Sequence, residues 1–248
     1  MCGNVRNAAQ EIARKNWIHF RAYVPVEDRY FELINSLLSD GMRVLDFGAG
    51  PDFEMSKRLE NVDVEIFSTD VDSVTLERNP NNSKVLSDGE SIPFQDEYFD
   101  MIAFKYVFEH LERPGVILAE CYRCLKPGGY IAFLCPNSYS YVSCLGRIIP
   151  LFLRKRIRMF IGGIDHSETF PAFYRLNSAS RIIRLMEKAG FEPVHMESCV
   201  GYPTYWEFSR TIHTIFCYFH KIIERLPVRS FDISLAGVFR KISDGTVD

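Results

Sequence analysis

Val44-Leu45-Asp46-Phe47-Gly48-Ala49-Gly50-Pro51-Asp52 reads as a buried strand running straight into a glycine-rich turn. The apolar residues before Gly48 suit a strand, and the two glycines permit backbone angles and close approach that a Cβ forbids. A helix after such a turn directs its unpaired N–H groups at whatever lies above it, so a polar or anionic ligand is expected there. Gly-x-Gly alone chooses no ligand. A dinucleotide fingerprint would place a third glycine at position 53, where this chain has Phe53, and it rarely carries an acid at the strand end. Asp46 is such an acid. A carboxylate facing the ligand repels a pyrophosphate and attracts an ammonium group.

Outward from this turn, strand and helix patterns alternate. "RVLDF" leads to a helix at "FEMSKRLE", "VEIFSTD" to "VDSVTLERN", and the short "KVL" to the loop "SDGESIPFQDEY". "FDMIAFKY" precedes the helical "GVILAECYRCLK", and "YIAFLCPN" follows the turn Lys126-Pro127-Gly128-Gly129. Such alternation predicts a parallel, doubly wound sheet with ligands at the carboxyl ends of its strands. Residues 1–40 carry two helical patterns separated by Pro25. After Asn137 the rhythm breaks into long stretches at about 138–176 and 201–226, read as insertions over one domain. "LNSASRIIRLMEKAGFEPVHMESC" returns to a helix and strand, with Asn177 or Ser178 as N-cap and Gly190 past the end. "VRSFDISLAGVFRKI" supplies a last, edge strand.

The 248 residues suffice for one substantial α/β domain. With 25% charged residues and a net charge of −3, no general case for nucleic-acid binding exists, nor is there a base-flipping Asn-Pro-Pro-Tyr-type motif. The first residues lack the apolar core of a signal peptide, and no stretch reaches the roughly 18 apolar residues of a membrane span. Seven cysteines, odd in number and irregularly spaced, suit reduced thiols, so a cytoplasmic location is expected. Cys121 and Cys124 form a C-x-x-C inside a helical pattern. With no second pair to complete a site, they read as ordinary helix positions, and no metal is expected.

Two further acids close strands in order. Asp70 ends the second strand, 24 residues after Asp46, where a carboxylate can accept both hydroxyls of a ribose. Asp88 follows the third, placed to accept from an adenine amino group. An ammonium, a ribose diol and an adenine amine together describe S-adenosylmethionine. With "IPFQDEYFDMI", "FEHL" and "LKPGG", the chain resembles the class I S-adenosylmethionine-dependent methyltransferases, in particular the methyltransferase type 11-like group. The resemblance covers residues 40–137 closely and 168–200 more loosely.

That resemblance implies an α/β fold. Its Rossmann-like, seven-stranded, mostly parallel sheet carries helices on both faces, an antiparallel last strand and helical insertions over the active site. It also implies that residues 1–40 cover the cofactor site and that 41–248 form the methyltransferase domain. By position, Asp46, Gly48, Ala49 and Gly50 border the methionine end, and Asp70 with Val71 meets the ribose. Asp88 and Gly89 meet the adenine, while Lys105 and Tyr106 sit beside the sulfonium. S-adenosylhomocysteine would be the product. One departure is Asp52, where the group usually has glycine; it is placed to cap the next helix or to add negative charge near the cofactor carboxylate.

The methyl group arrives activated, so the protein chiefly aligns the reactants and excludes water. A general base is needed only for a hydroxyl or protonated amine acceptor. Two histidines compete for that role: His110 in "FEHLERP", which could instead cap the following helix, and His166 in the polar loop "GGIDHSETFPAFYR". The acceptor is expected to be a small molecule, bulky or apolar, such as a lipid, glycan or secondary metabolite. The apolar and basic stretch 145–158 reads as a packed lid, a peripheral membrane contact or a protein interface. The aromatics from Tyr202 to Phe219 suit core, pocket or a homodimer surface. A second reading is a non-catalytic S-adenosylmethionine-binding subunit of another enzyme.

Overall fold

The computed structural model describes residues 25–52, 54–59, 62–140, 143–144, 171–199 and 232–242, with single positions at 211, 214, 215, 218 and 222. Helix α1 (Val26–Asn35) begins after Pro25 and turns Val26, Tyr30, Phe31 and Ile34 inward, a spacing that puts all four on one face. Then follow β1 (Arg43–Phe47), α2 (Glu54–Arg58), β2 (Glu65–Asp70), α3 (Ser73–Arg78), β3 (Lys84–Leu86) and β4 (Phe99–Lys105). A 3-10 turn (Phe108–His110) leads to α4 (Pro114–Cys124), β5 (Leu125–Pro136), α5 (Ala179–Lys188), β6 (Phe191–Cys199) and β7 (Ser234–Lys241).

The strands form one sheet in the order β3-β2-β1-β4-β5-β7-β6. β1 to β5 run parallel, and β7 runs antiparallel to both β5 and β6. The order reverses between β1 and β4, so a crevice opens beyond their carboxyl ends, where Gly48 and Tyr106 begin their turns. Successive β1 residues feed opposite faces, as the pleat requires. Leu45 and Phe47 join a core with Ile117 and Leu118 of α4 and Ile182 of α5. Val44 joins the other core, with Tyr30 and Ile34 of α1 and Met55 of α2.

Three details differ from the sequence reading. β7 is not an edge strand: it lies between β5 and β6, and all but Arg240 of its eight residues are buried. Its apolar run is that of a strand covered on both faces, which leaves β6 at the edge. Lys126 to Gly129 form no free turn but a bulge within β5, because Leu125 pairs with Phe99 and Tyr130 with Met101. Asp100, opposite the bulge, accepts from Lys126 Nζ at 2.8 Å and from the Arg43 N–H at 2.9 Å. Finally, Ser178 stands at the N-cap of α5 without a side-chain capping bond, while Gly190 follows its end at φ +92° as expected. Most of the stretches 138–176 and 201–226 fall outside the described residues, as do residues 1–24 and the basic run 145–158.

Asn81 fixes the edge that carries two of the acids. Its amide donates to the Ile66 carbonyl at 3.0 Å and Ser68 Oγ at 2.9 Å, and its Oδ1 accepts from the Ser83 N–H at 3.1 Å. Asn81→Ala strands these groups between β2 and β3. The expected loss is about 1–3 kcal/mol, measured as a lower urea midpoint at an unchanged slope.

Candidate active site

The turn after β1 is built by its neighbours. The Gly48 and Ala49 N–H groups donate to the Thr69 carbonyl at 2.8 and 3.0 Å, continuing the ladder beyond the strand. Gly48 has φ +70°, and a Cβ there would lie 2.5 Å from Val107 Cγ2, so only glycine fits beneath the loop after β4. Asp70, 8% exposed, ties the next residues. Its Oδ2 accepts from the Gly50 N–H at 3.1 Å and its Oδ1 from the Asp72 N–H at 3.0 Å. Asp72 in turn caps α3 by accepting from the Thr75 N–H at 2.9 Å. The Thr75 bonds hold the Asp72 carboxyl below the usual carboxylate range.

Above this turn lies a cavity of about 520 Å³, within the range of small-molecule sites. Gly48, Gly50, Asp70, Val71, Asp88, Tyr106 and His110 all line it, so seven of the twelve candidate residues meet around one cavity. The sequence reading missed Thr75, Ser87, Glu90, Val107, Leu111, Ile117, Pro171 and Phe173, which also line it. Val71 is 55% exposed, an apolar face offered to the cavity. Gly89 stands just behind the lining at φ +80°, and a Cβ there would lie 2.2 Å from Phe47 Cζ. That contact locks the loop after β3 onto the end of β1. Its residue Glu90 pairs with Arg113 through two bonds, one of 2.7 Å from Nε.

Asp46 and Lys105 lie off the cavity wall. Alternation from Phe47 sends the Asp46 side chain toward α1 and α2, where it is 6% exposed. Burial raises its carboxyl to about 7; Lys105 opposes the shift, and Glu54 and Asp70 add to it. Lys105 itself pairs with Glu54. The Tyr30 hydroxyl is buried in the same group with no hydrogen-bond partner among the described residues, and burial, then Asp46 and Glu54, push its pKa well up. Tyr106, in the left-handed region at φ +58°, donates its hydroxyl to Glu27 of α1 at 2.7 Å. Helix α1 thus reaches the carboxyl end of β4. Ala49 does not line the cavity, and His166 lies outside the described residues.

The far wall is the 3-10 turn with residues 171–175 laid along it. The Phe173 and Tyr174 N–H groups donate to the Glu109 carbonyl at 2.7 and 3.1 Å, and His110 Nδ1 lies 3.1 Å from the Pro171 carbonyl oxygen. His110 does not cap the next helix: Arg113 holds that position, with Pro114 in the first turn. Asp52 is exposed and off the cavity wall, its carbonyl accepting from Lys57 Nζ at 3.2 Å. Cys121 and Cys124 are buried and their thiols pushed up by desolvation, which makes them inert core positions. Among the described residues no three His, Cys, Asp or Glu groups approach as a metal site.

Comparison with known proteins identifies the class. A model described as a methyltransferase domain matches residues 18–196, and the chain belongs to that family. It is an S-adenosylmethionine-dependent methyltransferase. Among characterised relatives, demethylmenaquinone methyltransferase of Thermotoga maritima is 26% identical over 205 residues, which span 69% of this chain and 87% of that protein. Ubiquinone/menaquinone biosynthesis C-methyltransferase of Neisseria meningitidis is 28% identical over 117 residues, 43% of this chain; the chain spans about half (47%) of that relative's length. The fold is that of phosphoethanolamine N-methyltransferase 2 of Haemonchus contortus in complex with S-adenosylmethionine, with a TM-score of 0.58 at 12% identity. That match covers 87% of this chain and 53% of the other. A Mesorhizobium loti S-adenosylmethionine-dependent methyltransferase matches with a TM-score of 0.54 at 14% identity, covering 85% and 96%. Among the described residues no helix is long and apolar enough to cross a membrane.

The cavity suits that cosubstrate. It is large enough, has carboxylates at its floor (Asp70) and rim (Asp88), and offers apolar area at Val71, Leu111 and Ile117. The raised Asp46 carboxyl has a cost that pH exposes. Below its unfolded value of 3.8 both states are protonated; between 3.8 and about 7 the native state alone keeps the proton. Stability from this group is therefore lost as pH rises from 3.8 to about 7, by up to about 1.4 kcal/mol per unit, and the loss is complete above 7. Asp46→Asn is expected to melt higher than the parent at pH 8, with the gap narrowing at pH 5 and closing below 3.8 in paired thermal scans.

Proposed function

We propose that the chain methylates a bulky, apolar acceptor bearing an ionisable hydroxyl on an aromatic ring. The observation that carries this is the character of the far wall: Tyr106, Val107, Pro171 and Phe173 are aromatic or apolar, and His110 is the imidazole among them. The similarity to quinone-type methyltransferases supports the same class of acceptor. In this reading Asp70 accepts from the ribose hydroxyls, and Asp88 with the Gly89 backbone takes the adenine edge against Val71. Gly48 to Gly50 admit the methionine end, with Asp46 beneath them as the counter-charge to its ammonium group. Lys105 and Tyr106 border the reacting centre. Residues 1–40 cover the site, a role to which the Glu27–Tyr106 bond of α1 lends support.

When bound, S-adenosylmethionine supplies a methyl group on a positively charged sulfur, a leaving group that needs no further activation. The protein's part is alignment, worth on the order of 7–11 kcal/mol in favourable cases. His110 would accept the hydroxyl proton of the acceptor, raising electron density at the ring carbon that takes the methyl group. As that bond forms the methyl–sulfur bond breaks, its electron pair leaves with the sulfur, and the hydrogen displaced from the ring carbon returns to the ring oxygen. The apolar wall keeps water from competing for the methyl group.

Isothermal titration with S-adenosylhomocysteine separates the two halves of this reading. Asp70→Ala is expected to bind at least about 10-fold more weakly, as the loss of charged hydrogen bonds requires. Labelled methyl transfer, assayed across hydroxylated apolar rings, polar hydroxyls and amines, tests the acceptor. Turnover of amines alone would refute the proposal. His110→Gln is expected to lower kcat by about 10²–10⁴ with little change in the KM for S-adenosylmethionine.

A further inference from the structure

The contact between His110 and residue 171 carries information beyond the position of the ring. A backbone carbonyl oxygen only accepts hydrogen bonds, so a ring nitrogen 3.1 Å from it must be the one that bears hydrogen. Were Nδ1 unprotonated, two lone pairs would face each other at that distance. A neutral imidazole carries a single N–H, and the other nitrogen is then the acceptor. An unconstrained histidine in water prefers the opposite arrangement, with hydrogen on Nε2.

We infer that the Pro171 carbonyl, held in place by the strap of residues 171–174, fixes His110 as its Nδ1–H tautomer and makes Nε2 the proton acceptor of the site. Pro171 is a positioning residue here: it acts through His110. Its ring holds φ near one value and so limits the directions its carbonyl can take. The strap is anchored two and three residues later, where the Phe173 and Tyr174 N–H groups share the Glu109 carbonyl, the residue immediately before His110. The ring and its acceptor therefore hang from adjacent residues of one turn. Tyr174 sits at φ +52°, a conformation that a tyrosine keeps only where its surroundings hold it, and the bond to Glu109 is one such restraint. The neighbouring Glu109 side chain does not take over the role of Pro171. It is 6% exposed, its Oε2 has no partner among the described residues, and burial raises its carboxyl, an effect that His110 opposes. On protonation at Nε2 the ring becomes a cation, and the Nδ1–H bond to the carbonyl becomes a charge-assisted one. The strap thus holds the ring in one tautomer through the proton transfer.

This inference rests on the reading of His110 as the base, and the experiment keeps the two apart. Two-bond ¹H–¹⁵N correlation spectra of the full chain, labelled at histidine and saturated with S-adenosylhomocysteine, report which nitrogen bears hydrogen. His110→Asn assigns the signal by its loss. The Nδ1–H pattern is expected for the neutral ring. An Nε2–H pattern overturns the inference whatever the activity. Pro171→Gly frees the carbonyl and is expected to shift the ring toward Nε2–H. Its kcat should fall by about 10- to 100-fold, the range that a misplaced catalytic group produces, with the KM for S-adenosylmethionine unchanged. An unaltered Nδ1–H spectrum in Pro171→Gly removes Pro171 from the account. A wild-type Nδ1–H spectrum together with full kcat in His110→Gln upholds the tautomer and overturns the base.

Discussion

Both oxygens of the Asp70 carboxylate are engaged by backbone N–H groups, one from Gly50 and one from Asp72. Those two bonds join the turn after β1 to the turn after β2, and Asp72 passes the constraint on by capping α3. Bonds from neutral donors to a buried ionised acceptor are among the stronger ones in a protein. Here they form the floor of the cavity. A carboxylate has further lone-pair sites, so Asp70 can serve the backbone and a ligand together. The same side chain is therefore scaffold and binding group. The Gly48 contact with Val107 extends the order to β4, and the Gly89 contact with Phe47 extends it to the loop after β3.

The electrostatics beneath the turn run against stability. Glu54 and Asp70 each repel Asp46 against the attraction of Lys105, and the buried Tyr30 hydroxyl adds a group unsatisfied among the described residues. A core built for stability alone would hold apolar residues there. The arrangement suits a site that receives a positively charged molecule, since an arriving cation offsets the surplus of negative charge. Such local cost is common where function and stability compete for the same residues. It concentrates at the ends of β1 and β4, where the sheet order reverses and ligand chemistry is expected.

How far the sequence reached depended on the range of the forces involved. Asp46, Asp70 and Asp88 were legible because strand periodicity marks where each strand ends. Gly48 and Gly50 were legible through their turn. Which face Asp46 occupies was not, since that depends on Phe47 packing toward α4. The placement of β7 between β5 and β6 is a choice among partners distant in sequence, and no local pattern carries it. Pro171 and Phe173 join the wall through contacts with residues some 60 positions earlier. Their own segment holds no helical or strand period to announce them. His110 looked equally suited to capping a helix, and only the position of residue 171 distinguishes the two uses.

The place of β7 also bears on how the sheet is assembled in time. Among the described residues β6 pairs with β7 alone, and residues 234–241 lie more than thirty positions beyond it. β5 meets the same strand across nearly a hundred residues, closing a loop that is slow to form. Five of the seven strands, from β3 to β5 in the sheet order, can therefore pair as their residues emerge, in neighbouring right-handed crossovers. The other flank waits for the penultimate stretch of the chain. Until then β5 presents a bare apolar edge, the kind of surface on which nascent chains aggregate or recruit chaperones. The burial of Lys241, whose Nζ reaches the Leu125 carbonyl at 2.8 Å, closes that edge at the base of β5.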